Sequence, residues 1–117
     1  MPYPELNGES LVWMYETMVT IRRFEEQSRR EADAGKLRGM HSSIGQEAVP
    51  TGICAHLNEK DYVLGTHRSH HHCIAKGVDL KEMMAELLGR ATGTNRARAA
   101  PCPSPTSQRG CWARTAS

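Results

Sequence analysis

Apolar residues recur at Leu11, Met14, Tyr15, Met18, Val19 and Ile21, close to the period of an α-helix. Ser10, just ahead of them, is the expected cap: its hydroxyl oxygen can take a free backbone N–H of the first turn. "RRFEEQSRREADAGK" continues the helix with mixed charge, and Gly35 is expected to end it in the left-handed conformation. Met14, Met18 and Phe24 read as core packing.

"GQEAVPTGICAHLNEKD" predicts a second helix after Gly45. Pro50 is tolerated in or near the first turn, where backbone N–H groups have no helical partner to lose. Val49, Ile53, Cys54 and Leu57 then fall on one expected apolar face. "NEKD" reads as a turn and "YVLG" as a short buried strand. Further on, Asp79 can cap a helix through "LKEMMAELLGR", with Leu80, Met83, Met84, Leu87 and Leu88 at helical spacing and Gly89 near its end.

From Thr94 the pattern stops. The chain therefore divides into residues 1–93, which read as folded, and a tail, 94–117, expected to be disordered. The tail holds Arg96, Arg98, Arg109 and Arg114 but no acid, no lysine and no apolar period.

Composition limits what the folded part can be. The chain has 117 residues, enough for one small domain, and is 38% hydrophobic and 5% aromatic, which supports only a modest core. A net charge of +2 is too small to argue for nucleic acid. No apolar run approaches membrane-spanning length, and the start shows no secretory signal. Cys54, Cys73, Cys102 and Cys111 form no close-spaced framework and read as reduced thiols of a cytoplasmic chain.

Two polar stretches carry the candidate chemistry. "THRSHHHC" (Thr66 to Cys73) packs four of the six histidines beside a cysteine. His70 and His71 lie three and four residues after His67, which on a helix would share a face and suit a metal, with Cys73 adding a thiolate. The spacing matches neither a zinc finger nor HExxH. The plain alternative is a helix start with solvated or hydrogen-bonded histidines. A third reading uses Arg68: a guanidinium among imidazoles at a helix start is a good anion site. In "RGMHSSIGQEA" (Arg38 to Ala48), His41, Ser42 and Ser43 invite a nucleophile reading, but no partnering acid or GxSxG elbow accompanies them. Taken alone, this is a loop whose hydroxyls satisfy backbone groups.

Three segments together resemble the alpha subunit of thiamine-diphosphate-dependent E1 dehydrogenases: "MYETMVTIRRFEE", "HSSIGQEAVPTGICAHL" and "DYVLGTHRSHHHCIAKGVDLKEMMAELLGRATG". Their order and gaps also fit, and "HCIAKG" is most similar to the acetoin dehydrogenase branch, with the pyruvate and branched-chain 2-oxo acid branches as neighbours. The resemblance implies an α/β thiamine-diphosphate-binding fold around a parallel sheet, of which these residues supply mostly helix and one short strand. It implies carbon–carbon cleavage or decarboxylation of a small carbonyl substrate on thiamine diphosphate, then acyl transfer to a lipoyl E2 partner. The cofactor is expected between alpha and beta subunits of an α2β2 assembly. His67 and Arg68 are the implied cofactor-binding pair. His41 is the implied catalytic residue, hydrogen-bonding or passing a proton to the reacting carbonyl. His70 and His72 are implied to be supporting. Ser69 and His71 depart from the pattern: relatives commonly have Gly at both, and side chains there would disturb a loop that needed positive φ. Neither nucleic acid nor membrane is an expected partner.

In that family a "GRGGSMHIAD"-like stretch follows, then a Gly-Asp-Gly…Asn motif for magnesium and diphosphate. Neither occurs in these 117 residues, so the chain by itself is expected to be inactive. Joining the third base of each codon to the first two of the next, Arg98 to Thr106 permits Gly-Gly-Ser-Met, then Pro or Ser, then Ile-Ala-Asp. Onward to Ser117 the same frame permits "LSKGMLGANGI". The tail is therefore expected to be translated out of frame. Two other functions compete: a small metal-binding module using His67, His70, His71 and Cys73, and a basic interaction module acting through the tail.

Overall fold

The computed structural model of the protein describes residues 6–37, 40–58, 60–65, 68–94 and 112–113. Four helices and one two-stranded pairing make up the regular structure: α1 (Gly8–Asp33), α2 (Ala48–Cys54), β1 (Val63–Leu64), α3 (His70–Ala75), α4 (Leu80–Leu87) and β2 (Trp112–Ala113). β1 and β2 run antiparallel, Val63 opposite Ala113 and Leu64 opposite Trp112. A two-residue strand is present in "YVLG", but it is not buried as expected, since Leu64 is exposed and Val63 only half-buried; the tail adds a second strand. The rest of the expected tail, apart from Thr94, lies outside the described residues.

α1 starts three residues earlier than expected. Asn7, not Ser10, is its cap: the Asn7 side chain accepts from the Ser10 backbone N–H at 2.8 Å. Both residue types cap well, and Ser10 instead occupies the first turn. Glu9 in the first turn and Arg30 in the last complement the helix dipole. At the far end Gly35 takes φ 76°, as the sequence suggested, so the chain can turn back without a Cβ clash.

Only part of the α1 stripe is covered. Ile21, Phe24, Glu25 and Ser28 are buried, whereas Leu11, Tyr15 and Val19 are exposed and Met14 and Met18 half-buried. Among the described residues, α2 and α3 are the helices packed most closely on α1. The core gathers Ile21 and Phe24 with Cys54, Cys73, Ile74, Ala75 and Met83, flanked by Leu57, Val78, Met84 and Leu87. Cys54 and Cys73 are both buried thiols, neither of them in a disulfide; Cys102 and Cys111 lie outside the described residues.

α2 carries Pro50 as its third residue, where the missing N–H costs no helical bond. Its inward face differs from the expected one. Pro50, Thr51 and Cys54 are buried, while Val49 and Ile53 are exposed. Thr51 Oγ1 donates back to the Glu47 carbonyl at 2.8 Å, so a polar residue is buried without leaving its hydroxyl orphaned. The "NEKD" turn is closed by Asp61, whose carboxylate accepts from the Asn58 N–H and whose own N–H donates to the Asn58 carbonyl. Asp79 caps α4 as expected, accepting from the Lys81 and Glu82 N–H groups, and Met83 is the buried residue of that helix. No described helix is long and apolar enough to cross a membrane.

Candidate functional site

The polar centre lies where α1, the 41–47 loop and the start of α3 meet, and its hub is Glu25. Four residues after Ile21 and three before Ser28, Glu25 falls on the buried stripe of α1 and has no exposed surface. A carboxylate there has lost its water, which costs on the order of several kcal/mol unless protein groups replace it. Two do. The Ser43 backbone N–H donates to Glu25 Oε2 at 3.0 Å, and His70 Nδ1 lies 3.2 Å from Glu25 Oε1. Burial pushes the Glu25 carboxyl up. The His70 and Ser43 hydrogen bonds and the nearby imidazoles outweigh it, and the net shift is below the ordinary carboxylate range. Glu25 is therefore ionised near neutral pH. An ionised carboxylate only accepts, so the proton between it and His70 sits on Nδ1.

Ser43, fully buried, extends this link to the next loop. Its Oγ donates to the Arg68 carbonyl at 3.0 Å. Arg68 stands just before α3, two residues from His70, so the bonds form a circuit from Glu25 through Ser43 and Arg68 to His70 and back. The 41–47 loop is also held from within. Glu47 accepts from Gly45 N–H at 2.9 Å and from the Arg22 guanidinium at 2.6 Å. Together with a further backbone contact, these hold the Glu47 carboxyl down to about 2, against its burial.

His41 is exposed, two residues ahead of the buried Ser43. Arg68 is also exposed, on backbone that Ser43 fixes. The structure thus brings together the segments carrying these two expected site residues. His67 lies outside the described residues. The anion reading now depends on Arg68: α3 has only six residues, too short for its dipole to add much.

The metal reading gains no support. Among the described residues no group of three or more His, Cys, Asp or Glu is placed to hold a metal. α3 begins at His70, so the shared-face spacing, which needed a helix from position 67, loses its basis. Cys73 is buried in the apolar core, and His71 points inward. Burial lowers the His71 pKa, and neighbouring His72 and His70 lower it further, against Glu25 and the Arg68 backbone. Burial also lowers that of His72, whose ring centroid is 4.4 Å from that of His71. Both are neutral packing groups at pH 7.

The two departures from the family pattern cause no backbone strain. Ser69 takes φ −87°, and His71 lies within α3, so neither needs a glycine. A tight position beside them is Gly65, where an added Cβ would collide with the Ser69 side chain. Glu25 is the residue that sequence reasoning missed. Its signal was present: a charged residue in step with Ile21 and Ser28 on a buried stripe.

The sequence matches the Dehydrogenase E1 component family over residues 16–108, and the chain belongs to that family. Among its relatives, the alpha subunit of acetoin:2,6-dichlorophenolindophenol oxidoreductase of Bacillus subtilis is 49% identical over 75% of this chain and 27% of its own length. The same-named subunit of Cupriavidus necator is 44% identical over 76% of the chain and 27% of its own length. The pyruvate dehydrogenase E1 component subunit alpha of Porphyra purpurea is 43% identical over 80% of the chain and 27% of its own length. The chain thus spans about a quarter of the curated relatives it matches. No solved structure matches it.

Proposed function

We propose that this chain forms the N-terminal part of the alpha subunit of a thiamine-diphosphate-dependent E1 dehydrogenase, acting on acetoin or a 2-oxo acid. The single observation that carries the reading is the tie between the His41 and Arg68 loops through Ser43, within a sequence of the E1 family. Thiamine diphosphate, when bound, supplies the nucleophilic carbon and the electron sink for cleaving a bond beside a carbonyl.

The residues present fit its diphosphate end. Arg68 is exposed, on backbone tied to Ser43, and a guanidinium pairs with phosphate oxygens in bidentate fashion. His67 joins it in this reading, and His41 hydrogen-bonds or passes a proton to the substrate carbonyl. The described residues supply no carboxylate cluster for magnesium, which the reading assigns to protein beyond these segments. The partners proposed are an E1 beta subunit and a lipoyl E2. Residues 94–117 are taken as out-of-frame, and reading the coding DNA tests that point: an early stop in the shifted frame removes it.

Calorimetry with thiamine diphosphate, alone and with an E1 beta subunit, tests the function. Binding of the cofactor that Arg68→Ala weakens tenfold or more is expected, with no turnover of acetoin or pyruvate. Absence of binding under both conditions overturns the assignment.

A further inference from the structure

The proposed chemistry gives Glu25 no role, yet Glu25 and its partner Ser43 link the two site loops. We propose that Glu25 is a positioning residue: one buried carboxylate registers the His41 loop against the Arg68 loop and fixes which nitrogen of His70 carries the proton.

The geometry makes this a division of labour between two oxygens. Oε2 holds the backbone N–H of Ser43, so it fixes main chain rather than a rotatable side chain. Oε1 holds the His70 ring. Ser43 then passes the constraint on, because its Oγ donates to the carbonyl of Arg68. The side chains of His41 and Arg68 therefore leave from backbone tied to the same helix position. An ionised Glu25 also selects the Nδ1–H tautomer of His70, leaving Nε2 as an acceptor. The His70 side chain is only part-buried, 18% exposed.

Glu25→Gln separates this role from plain packing, because it keeps shape while exchanging one acceptor for a donor. Its amide oxygen must take the Ser43 N–H, so its NH₂ faces His70 Nδ1, which then has to accept. In the full chain at pH of about 8.5, above the ordinary histidine range, ¹⁵N spectra are expected to show the His70 proton on Nδ1 in the parent and on Nε2 in the variant. An identical tautomer in both overturns the proposal. Amide hydrogen exchange supplies the second readout. Glu25→Ala is expected to speed exchange tenfold or more both at Ser43 and across residues 68–72. Faster exchange at Ser43 alone overturns the shared register.

The proposal rests on the E1 reading only for the identity of the ligand. Thiamine diphosphate affinity, measured where circular dichroism shows the parent and both variants folded, is expected to fall about tenfold in Glu25→Ala and to recover in part in Glu25→Gln. Unchanged affinity in Glu25→Ala overturns it. If the parent chain binds no thiamine diphosphate, the E1 reading fails, and the tautomer and exchange results still decide for or against Glu25.

Discussion

Ser43 Oγ donates to the carbonyl of Arg68 at 3.0 Å, joining residues 25 apart in the chain across the centre of the candidate site. The hydroxyl thus helps to set where the arginine backbone sits, beside the His71 contact with the same backbone. Ser43→Ala removes that donor and keeps the Ser43 N–H on Glu25. It is expected to cost about 1 kcal/mol in urea unfolding, since one part-buried hydrogen bond is lost. Thiamine diphosphate binding should weaken with it. A variant as stable as the parent, with equal affinity, would show that the Arg68 loop is held by other contacts.

The Arg22–Glu47 pair predicts acid behaviour. Glu47 has its carboxyl lowered from the ordinary 4.5 to about 2 in the folded chain, chiefly by the Arg22 hydrogen bond. Between those values the unfolded chain binds the extra proton and the folded chain does not. Its contribution to stability is therefore complete above pH 4.5 and falls away as pH drops toward 2. Replacing Arg22 with Leu should make unfolding less steeply pH-dependent in that window. The guanidinium is half-exposed, so added salt should weaken the effect in the parent. Equal acid titrations for the two proteins would contradict the pairing.

Gly65→Ala should drive its new methyl into the Ser69 side chain, at the residue that precedes α3. Overpacking of this kind costs about 1–3 kcal/mol. The double variant Gly65→Ala with Ser69→Gly removes the obstacle and should regain most of the loss. Additive destabilisation in a double-mutant cycle would place the fault elsewhere.

Asp79→Ala deletes an acceptor used by both Lys81 N–H and Glu82 N–H. A loss of about 1 kcal/mol is expected, with less helix by circular dichroism. Asp79→Asn keeps a capping oxygen and should lose only a few tenths of that.

Local chemistry was the legible part of this fold. Gly35, Pro50 and Asp79 act within one turn of their own positions, so the sequence beside them was enough to place the end of α1, the start of α2 and the cap of α4. Partner-dependent features were harder. Val49 and Ile53 were expected to share an apolar face with Cys54, but which side of α2 turns inward depends on how it meets α1 and α3. It meets them through Pro50, Thr51 and Cys54. The cap of α1 was misplaced by three residues because Asn7 and Ser10 are chemically equivalent candidates. At the site, the family resemblance pointed to His41 and Arg68, but nothing in their neighbourhood pointed to Glu25, 16 positions before His41. Its partners come from 18 and 45 residues away. Such a residue is visible only by asking why a charge stands in an apolar stripe.

Those separations govern how the chain can fold. α1 is complete at Asp33, long before His70 has been made. Docking its stripe early would strip water from Glu25 while both partners are still missing, at a cost on the order of several kcal/mol. The helix is thus discouraged from settling until the 41–47 loop and α3 arrive together, each a non-local contact that is slow to close. A charge in the middle of the packed face makes core formation wait for site formation, so an early collapse lacking the site is the less stable product.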